Sequence, residues 1–123
     1  MRVRLRAGGC LLAAAVIAGF VASPPLVAQT PVKRVLIIHG GPESFPGNAG
    51  FDAAIRQTLF AHPTLDVEAH SEYLENEEFG AAADEALSES IRIKFRRLPL
   101  DLVIANTTPT LQFVLQHRDD LFP

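Results

Sequence analysis

Apolar residues along the chain gather in three short runs, and each run is followed by a longer stretch with helical spacing. The first run lies within Val32 to Gly40 and contains the unbroken aliphatic segment Val35-Leu36-Ile37-Ile38. A continuous run of this kind is typical of a strand buried on both faces of a parallel sheet. We therefore expect the first strand to occupy an interior position.

The first helix is predicted after the Gly/Pro-rich loop from Gly40 to Gly50. Asn48 is a candidate N-cap, and the helix should extend to about Ala61 before Pro63 closes the unit. Apolar residues recur within it at helical spacing. They predict a buried stripe of Phe51, Ala54, Ile55 and Leu59.

The second unit begins with alternating residues from Leu65 to Leu74, a pattern that favours a half-exposed strand at an edge of the sheet. One helix is then predicted over Asn76 to Leu98, with Asn76 as its cap. Acidic residues at its start and basic residues at its end would complement the helix dipole. Its predicted buried stripe is Phe79, Ala83, Leu87, Ile91, Phe95 and Leu98.

Pro99 ends the second predicted helix. The third unit then begins with a short apolar strand from Leu100 to Ala105. Thr108 is the predicted N-cap of the last helix, with Pro109 at the first helical position. That helix should run to about Leu121. Its predicted packing residues are Leu111, Val114 and Leu115.

Three consecutive strand–helix units predict an α/β fold with a parallel sheet and right-handed crossovers. Placing the alternating second strand at an edge gives the spatial order 2-1-3, which is the start of a doubly wound sheet. The outer flank of the third strand would then have no partner. We therefore interpret residues 29–123 as an incomplete N-terminal lobe of a larger domain.

Residues 1–28 have the pattern of a signal peptide. Arg2, Arg4 and Arg6 precede a charge-free run from Gly8 to Ala22, and cleavage is predicted after Ala28. The run is shorter than the ~20 residues that span a bilayer, which favours a cleaved leader over an uncleaved anchor. The sequence thus predicts an exported protein, in the periplasm or on the extracytoplasmic face of the inner membrane.

Composition excludes several classes of function for the mature chain. The single cysteine, Cys10, would leave with the leader, so disulfides, Cys-ligated zinc and a thiol nucleophile are not expected. Loss of three leader arginines would also take the net charge from −3 to −6. No basic patch interleaved with aromatic residues remains, which argues against a nucleic-acid partner.

Candidate ligand-contact residues follow the first and third strands, because parallel α/β sheets bind ligands beyond the carboxyl ends of their strands. Free backbone N–H groups at the start of the last helix could bind an anion or a carboxylate. The alternative is purely structural, with Thr108 capping its helix and Asn106 shaping the turn. The candidates are His39, Gly40, Gly41, Ser44, Asn106, Thr107 and Thr108.

Catalytic and metal motifs are weak. His39-Gly40-Gly41 after an apolar strand is typical of the oxyanion-hole segment of α/β-hydrolases, but the chain has no Gly-x-Ser-x-Gly elbow. The histidines show no paired metal-ligand spacing, so no metal or other cofactor is expected. Without a catalytic motif we do not expect this chain to be an enzyme. The four histidines are His39, His62, His70 and His117.

Taken in order, these segments resemble the extracytoplasmic sensor domains, built like ABC-type substrate-binding proteins, that stand at the N-termini of bacterial membrane sensor histidine kinases. The resemblance covers nearly all of the predicted mature chain. It is carried by Lys33–Ile38, Glu72–Leu74, Asp101–Ala105 with its Asn106–Pro109 turn, and His117–Pro123.

The resemblance implies a two-lobed, type I periplasmic-binding-protein fold with a small molecule held between the lobes. Closure would signal through a following transmembrane helix to a cytoplasmic kinase. Two other hypotheses stay open: the N-terminal part of a secreted α/β-hydrolase that uses His39 to Gly41 in its oxyanion hole, and a truncated gene product without independent function.

Overall fold

The computed structural model describes residues 30–122, so the predicted leader and its cysteine lie outside the described residues. Three parallel strands form one sheet: β1 (Val32–Gly40), β2 (Asp66–Leu74) and β3 (Leu102–Ala105). Their spatial order is β2-β1-β3. The α/β class, the parallel sheet and the predicted strand order are confirmed.

Five helices follow the strands among the described residues. They are α1 (Pro46–Phe60) after β1, α2 (Asn76–Phe79) and α3 (Ala81–Phe95) after β2, and α4 (Thr108–Gln116) and α5 (Arg118–Leu121) after β3. No helix within residues 30–122 has both the length and the apolar character needed to cross a membrane.

Alternate residues of β1 point to opposite faces of the sheet, and each face is covered differently. Leu36 and Ile38 face α3 and α4 and belong to the apolar core. Val35, Ile37 and His39 face the α1 side, and all three are buried. The core on the α3–α4 side consists of Leu36, Ile38, Leu74, Leu87, Ile91 and Phe113.

The register of the sheet decides which side chains of β2 lie under α1. Ile37 pairs with Ser71, and His39 pairs with Tyr73. From α1, Arg56 reaches this row of residues and donates hydrogen bonds to the Ser71 hydroxyl and the Ala69 carbonyl. The α1 side of the sheet therefore carries a row of hydrogen-bonded polar groups, whereas the core on the other side is formed by apolar side chains.

The predicted long helix after β2 is divided at Gly80, whose φ of 57° lies in the left-handed region that favours glycine. Asn76 is the first residue of α2 and not its cap, because Glu75 occupies the cap position without a side-chain hydrogen bond. Phe79 is 56 % exposed and thus lies outside the core. The rest of the stripe faces inward from Ala83 to Phe95, whereas Leu98 lies beyond α3 and is exposed.

Two further predicted caps are wrong. Asn48 lies inside the first turn of α1, buried, and its amide donates to the carbonyls of Gly40 and Pro42. The N-cap of α4 is Thr107, one residue before the predicted Thr108, because Thr110 completes a capping box with Thr107.

The third unit begins later than predicted, and its predicted single helix is divided in two. β3 begins at Leu102, and α4 ends at Gln116, after which His117 separates it from α5. Phe113 is buried in the core and Val114 packs against it as predicted, while Leu111 and Leu115 are exposed, at 50 % and 61 %. In the first unit Phe51 is likewise exposed, so only part of its predicted stripe is covered.

Candidate functional site

Two strand-to-helix connections lie side by side at the carboxyl end of the sheet. One is Gly41–Phe45 between β1 and α1, and the other is Asn106–Thr107 between β3 and α4. The Thr107 side chain lies so close to the Gly40 backbone that a Cβ on Gly40 would be 2.6 Å from the Thr107 hydroxyl oxygen. Only glycine fits at the end of β1 without displacing its neighbour.

The β1–α1 connection is held by hydrogen bonds along its length. The Gly41 N–H donates to the Leu74 carbonyl across 2.8 Å, and Gly41 has a φ of 78°. The Asn48 amide closes the turn through the Gly40 and Pro42 carbonyls, at 3.0 and 3.1 Å. Ser44 is exposed at the tip of this connection.

Asn106 ties the second connection to the first. The Gly40 N–H donates to its Oδ1 across 3.0 Å, and its Nδ2 lies 3.1 Å from His39 Nδ1. The last two residues of β1 are therefore both linked to the Asn106 amide, His39 through its side chain and Gly40 through its backbone N–H. Such an arrangement fixes the spacing between the two connections.

His39 is fully buried and both of its ring nitrogens have partners. Nε2 lies 3.1 Å from Asp52 Oδ1, on the side opposite Asn106. Tyr73 stacks on the ring at 5.2 Å between centroids, and Phe51 meets it edge-on at 6.2 Å. The ring has no surface from which to contact a ligand directly.

Asp52 is the charged end of this chain of contacts. The Ser71 hydroxyl donates to its carboxylate, and the Arg56 Nε donates to it across 2.5 Å. Burial acts to raise the pKa of Asp52, but hydrogen bonds from Ser71, Arg56 and His39 outweigh it and hold the pKa below its ordinary value. The carboxylate is thus the stable form at neutral pH.

Most backbone donors at the start of α4 are already engaged. The Thr110 N–H donates to the Thr107 hydroxyl, the Leu111 N–H donates to the Thr107 carbonyl, and Pro109 has no N–H. Only the Thr108 N–H remains for a ligand in the first turn. This helix start is a poorer anion site than the sequence suggested.

The oxyanion-hole alternative meets the same difficulty. It requires the backbone N–H groups of Gly40 and Gly41 to be free. Gly40 donates to Asn106 and Gly41 donates to Leu74. Neither group is in a position to stabilise an oxyanion in this arrangement.

Charge at the carboxyl end of the sheet is acidic. The connections and α2 carry Glu43, Glu75, Glu77 and Glu78, and neither lysine nor arginine occurs within residues 41–45, 75–80 or 106–108. Burial raises the pKa of the Tyr73 hydroxyl, and the nearby carboxylates of Glu43 and Asp52 raise it further. The field at this end therefore disfavours anions.

The seven candidate residues fall into two groups. His39, Gly40 and Asn106 are joined by hydrogen bonds, and the exposed Thr107 lies against Gly40. Ser44 and Thr108 are exposed and Gly41 is half-buried, outside this contact. Sequence reasoning missed Asn48, Asp52, Arg56, Ser71 and Tyr73, which carry the supporting hydrogen bonds and ring contacts.

A second concave region lies at the opposite end of the sheet. It is a groove of about 790 Å³ between the end of α3, the start of β3 and α5. Ile91, Phe95 and Phe122 contribute apolar lining, with Arg96 and Arg97 at its rim. Within residues 30–122 no three His, Asp or Glu side chains are grouped so as to hold a metal ion.

Compared with known proteins, the chain matches no family model, no curated protein and no solved structure.

Proposed function

We propose that residues 29–123 form part of an extracytoplasmic lobe that binds a small molecule, in a membrane sensor histidine kinase or an ABC-type substrate-binding protein. One observation carries this proposal: the β1–α1 and β3–α4 connections lie in contact at the carboxyl end of a parallel sheet. Open α/β sheets bind ligands at this end, where the strand order changes direction. In the order β2-β1-β3 that change occurs beside β1.

The ligand we propose is polar and either neutral or cationic. The exposed polar residues at this end include Glu43, Ser44, Thr107 and Thr108, together with Glu77 and Glu78 of α2. The Thr108 N–H also remains available. Most backbone donors that would favour an anion have partners inside the protein. This revises the expectation of an anionic ligand, and a polyol or a small amine fits the remaining groups better.

Binding would act by shifting an equilibrium between open and closed lobes. A ligand that contacts both lobes stabilises the closed form by the difference between its affinities for the two forms. The described residues would supply one wall of that cleft, on connections held rigid by Asn106 and Asn48. Rigid walls reduce the ordering cost of binding.

The proposal is tested first on the coding sequence of the natural protein beyond Pro123. A second α/β lobe is expected, followed by ~20 apolar residues if the parent is a membrane receptor. A Gly-x-Ser-x-Gly elbow followed by Asp or Glu and His would instead establish the hydrolase alternative. A stop codon directly after Pro123 would favour the truncated product.

Ligand class is tested by thermal unfolding of the complete exported protein with monosaccharides, polyols, polyamines, amino acids, dicarboxylates and inorganic phosphate. A true ligand present at 100 times its Kd should stabilise the protein by about 2.7 kcal/mol. Glu43→Gln should weaken binding of a cationic ligand, and Glu85→Gln, on an exposed position of α3, is the matched control. Stabilisation by dicarboxylate or phosphate alone would contradict the proposed ligand class.

Export is part of the same proposal. N-terminal sequencing of the protein recovered from the periplasmic fraction should begin near Gln29. An N-terminus at Met1 on the exported protein would make residues 1–28 an anchor, and recovery only from the cytoplasm would contradict the proposed location.

A further inference from the structure

A chain of hydrogen bonds runs from α1 through the interior of the sheet to the contact between the two connections. Its members are Asp52, His39, Asn106 and Gly40. The residues come from α1, β1 and the β3–α4 connection, and His39 and Asn106 are 67 positions apart in the sequence. Because the step at Gly40 has a fixed donor, the direction of the two steps at His39 can be worked out from it.

The direction is set at Gly40. A backbone N–H can only donate, so the Asn106 oxygen must face Gly40 across the 3.0 Å contact. The amide nitrogen of Asn106 then faces His39 Nδ1, 3.1 Å away, and donates to it. His39 Nδ1 is therefore an acceptor and carries no proton.

The proton of a neutral His39 ring must then reside on Nε2, which lies 3.1 Å from the Asp52 carboxylate. A carboxylate can only accept, so this contact agrees with the direction set at Gly40. Asp52 is itself oriented by the Ser71 hydroxyl and by Arg56. The order of donors is consistent over all three steps.

The opposite tautomer would break this order at two places. A proton on His39 Nδ1 would face the Asn106 amide donor and force that amide to turn. The turned amide would then direct its nitrogen at the Gly40 N–H, placing two donors in opposition. Since Gly40 also lies against Thr107, a turned Asn106 amide would act directly on the contact between the two connections.

We propose that Asp52, acting through His39, fixes the orientation of the Asn106 amide and so holds the two connections at the spacing of the ligand site. Asp52 and His39 are thus positioning residues, since the buried ring and the carboxylate behind it act through Asn106. Their role in binding rests on the proposed function, but the hydrogen-bond order itself can be measured without any ligand.

The test is NMR on the full-length protein with ¹⁵N-labelled histidine, asparagine and glycine. In the wild type, the long-range ¹H–¹⁵N spectrum at neutral pH should show His39 with a protonated Nε2 and a bare Nδ1. The opposite tautomer in the wild type would overturn the proposal outright. A negative ligand screen would leave this result unaffected, so the two proposals can fail separately.

Variants of Asp52 then test whether this residue determines the His39 tautomer. Asp52→Ala removes the acceptor, so the Nδ1-protonated tautomer should appear and the Gly40 amide should exchange with solvent about fivefold faster. Asp52→Asn keeps an acceptor oxygen and should preserve both signals. Glu89→Ala removes another acid that pairs with an arginine, on α3, and is the matched control that should change neither.

A second variant keeps the test decisive if Asp52→Ala does not fold. Asn106→Asp keeps the acceptor for Gly40 but has no donor for His39, so Nδ1 should become protonated while Gly40 stays protected from exchange. If His39 Nδ1 stays bare in this variant, or if a folded Asp52→Ala protein keeps the wild-type tautomer and exchange rate, the relay does not exist.

Discussion

The two faces of the sheet are buried by different physical means. On the α3–α4 face, Leu36 and Ile38 pack in a core of aliphatic and aromatic side chains. On the α1 face, His39 is just as deeply buried, but hydrogen bonds to Asp52 and Asn106 hold it. Apolar packing contributes most of the stability, whereas directional bonds determine which geometry is stable.

This contrast predicts different effects for substitutions on the two faces of the sheet. Deleting a methyl group from the apolar face should cost stability and leave the carboxyl end of the sheet in place. Altering the polar face should disturb the connections around Gly40 more than it disturbs the core. The three predictions below test this division, beginning with the largest expected effect.

The apolar face is tested by two isoleucines on α3. Ile91 is 1 % exposed in the core, and Ile93, two residues later, is 67 % exposed. Ile91→Ala should lower the free energy of unfolding by about 2–5 kcal/mol, because it leaves a cavity. Ile93→Ala should change it by less than about 0.5 kcal/mol. Urea denaturation measures both, and equal losses would contradict the assignment of the core.

The contact between the connections is tested at glycine. Gly40→Ala would place a Cβ against the Thr107 hydroxyl and should cost about 1–3 kcal/mol, because one connection must shift. Gly50→Ala is the matched change, since no atom lies within 4 Å of its Cβ position on α1. It should stabilise the helix by about 0.5–1 kcal/mol. Similar effects of both changes in thermal unfolding would show that the close approach is absent.

The polar face is tested by acid titration. The pKa of Asp52 is lower in the folded protein than in the unfolded chain, so its charge stabilises the fold above the unfolded pKa of about 3.9. That stabilisation is lost as the pH falls through the folded pKa. Asp52→Asn should therefore flatten the fall in unfolding free energy below about pH 4.

Asp101 supplies the comparison for this titration. Its hydrogen bonds from the Lys33 ammonium and the Arg34 N–H lower its pKa as well, but it lies at the exposed amino end of β3. Added salt should weaken the contribution of Asp101 more than that of Asp52, because solvent ions screen exposed charges better. Equal salt sensitivity of the Asp52→Asn and Asp101→Asn effects would remove the distinction between the two sites.

The strand order could be predicted because β1 and β2 differ in pattern. The unbroken aliphatic run of β1 favours an interior position, and the alternation of β2 favours an edge. The division at Gly80 was missed because the apolar spacing of Phe79 and Ala83 continues across it, although Phe79 is exposed. A single glycine in a helical pattern is compatible with an unbroken helix, so spacing alone could not decide.

The candidate site was predictable only as a location. Parallel strands bring Gly40 and Asn106 to the same end of the sheet, which the topology already implied. The part played by Asp52 could not be predicted, because it depends on the register that places Ser71 beside Ile37. From the sequence alone, Thr107 and Thr108 are equally suitable N-caps for the last helix. The Thr110 hydroxyl accepts a hydrogen bond from the Thr107 N–H, and this capping box makes Thr107 the N-cap.

The central position of β1 has a consequence for the timing of folding. β1 is the first strand in the sequence, yet both of its partners come later: Val32 pairs with Asp66, and Val35 pairs with Leu102. Parallel pairings over such separations close slowly, because the entropy of the intervening loop is lost before any contact is gained. During synthesis, β1 therefore cannot complete its pairing on both sides until nearly all of the described residues have been made. If the chain is exported as proposed, this delay would help to keep it unfolded while it crosses the membrane.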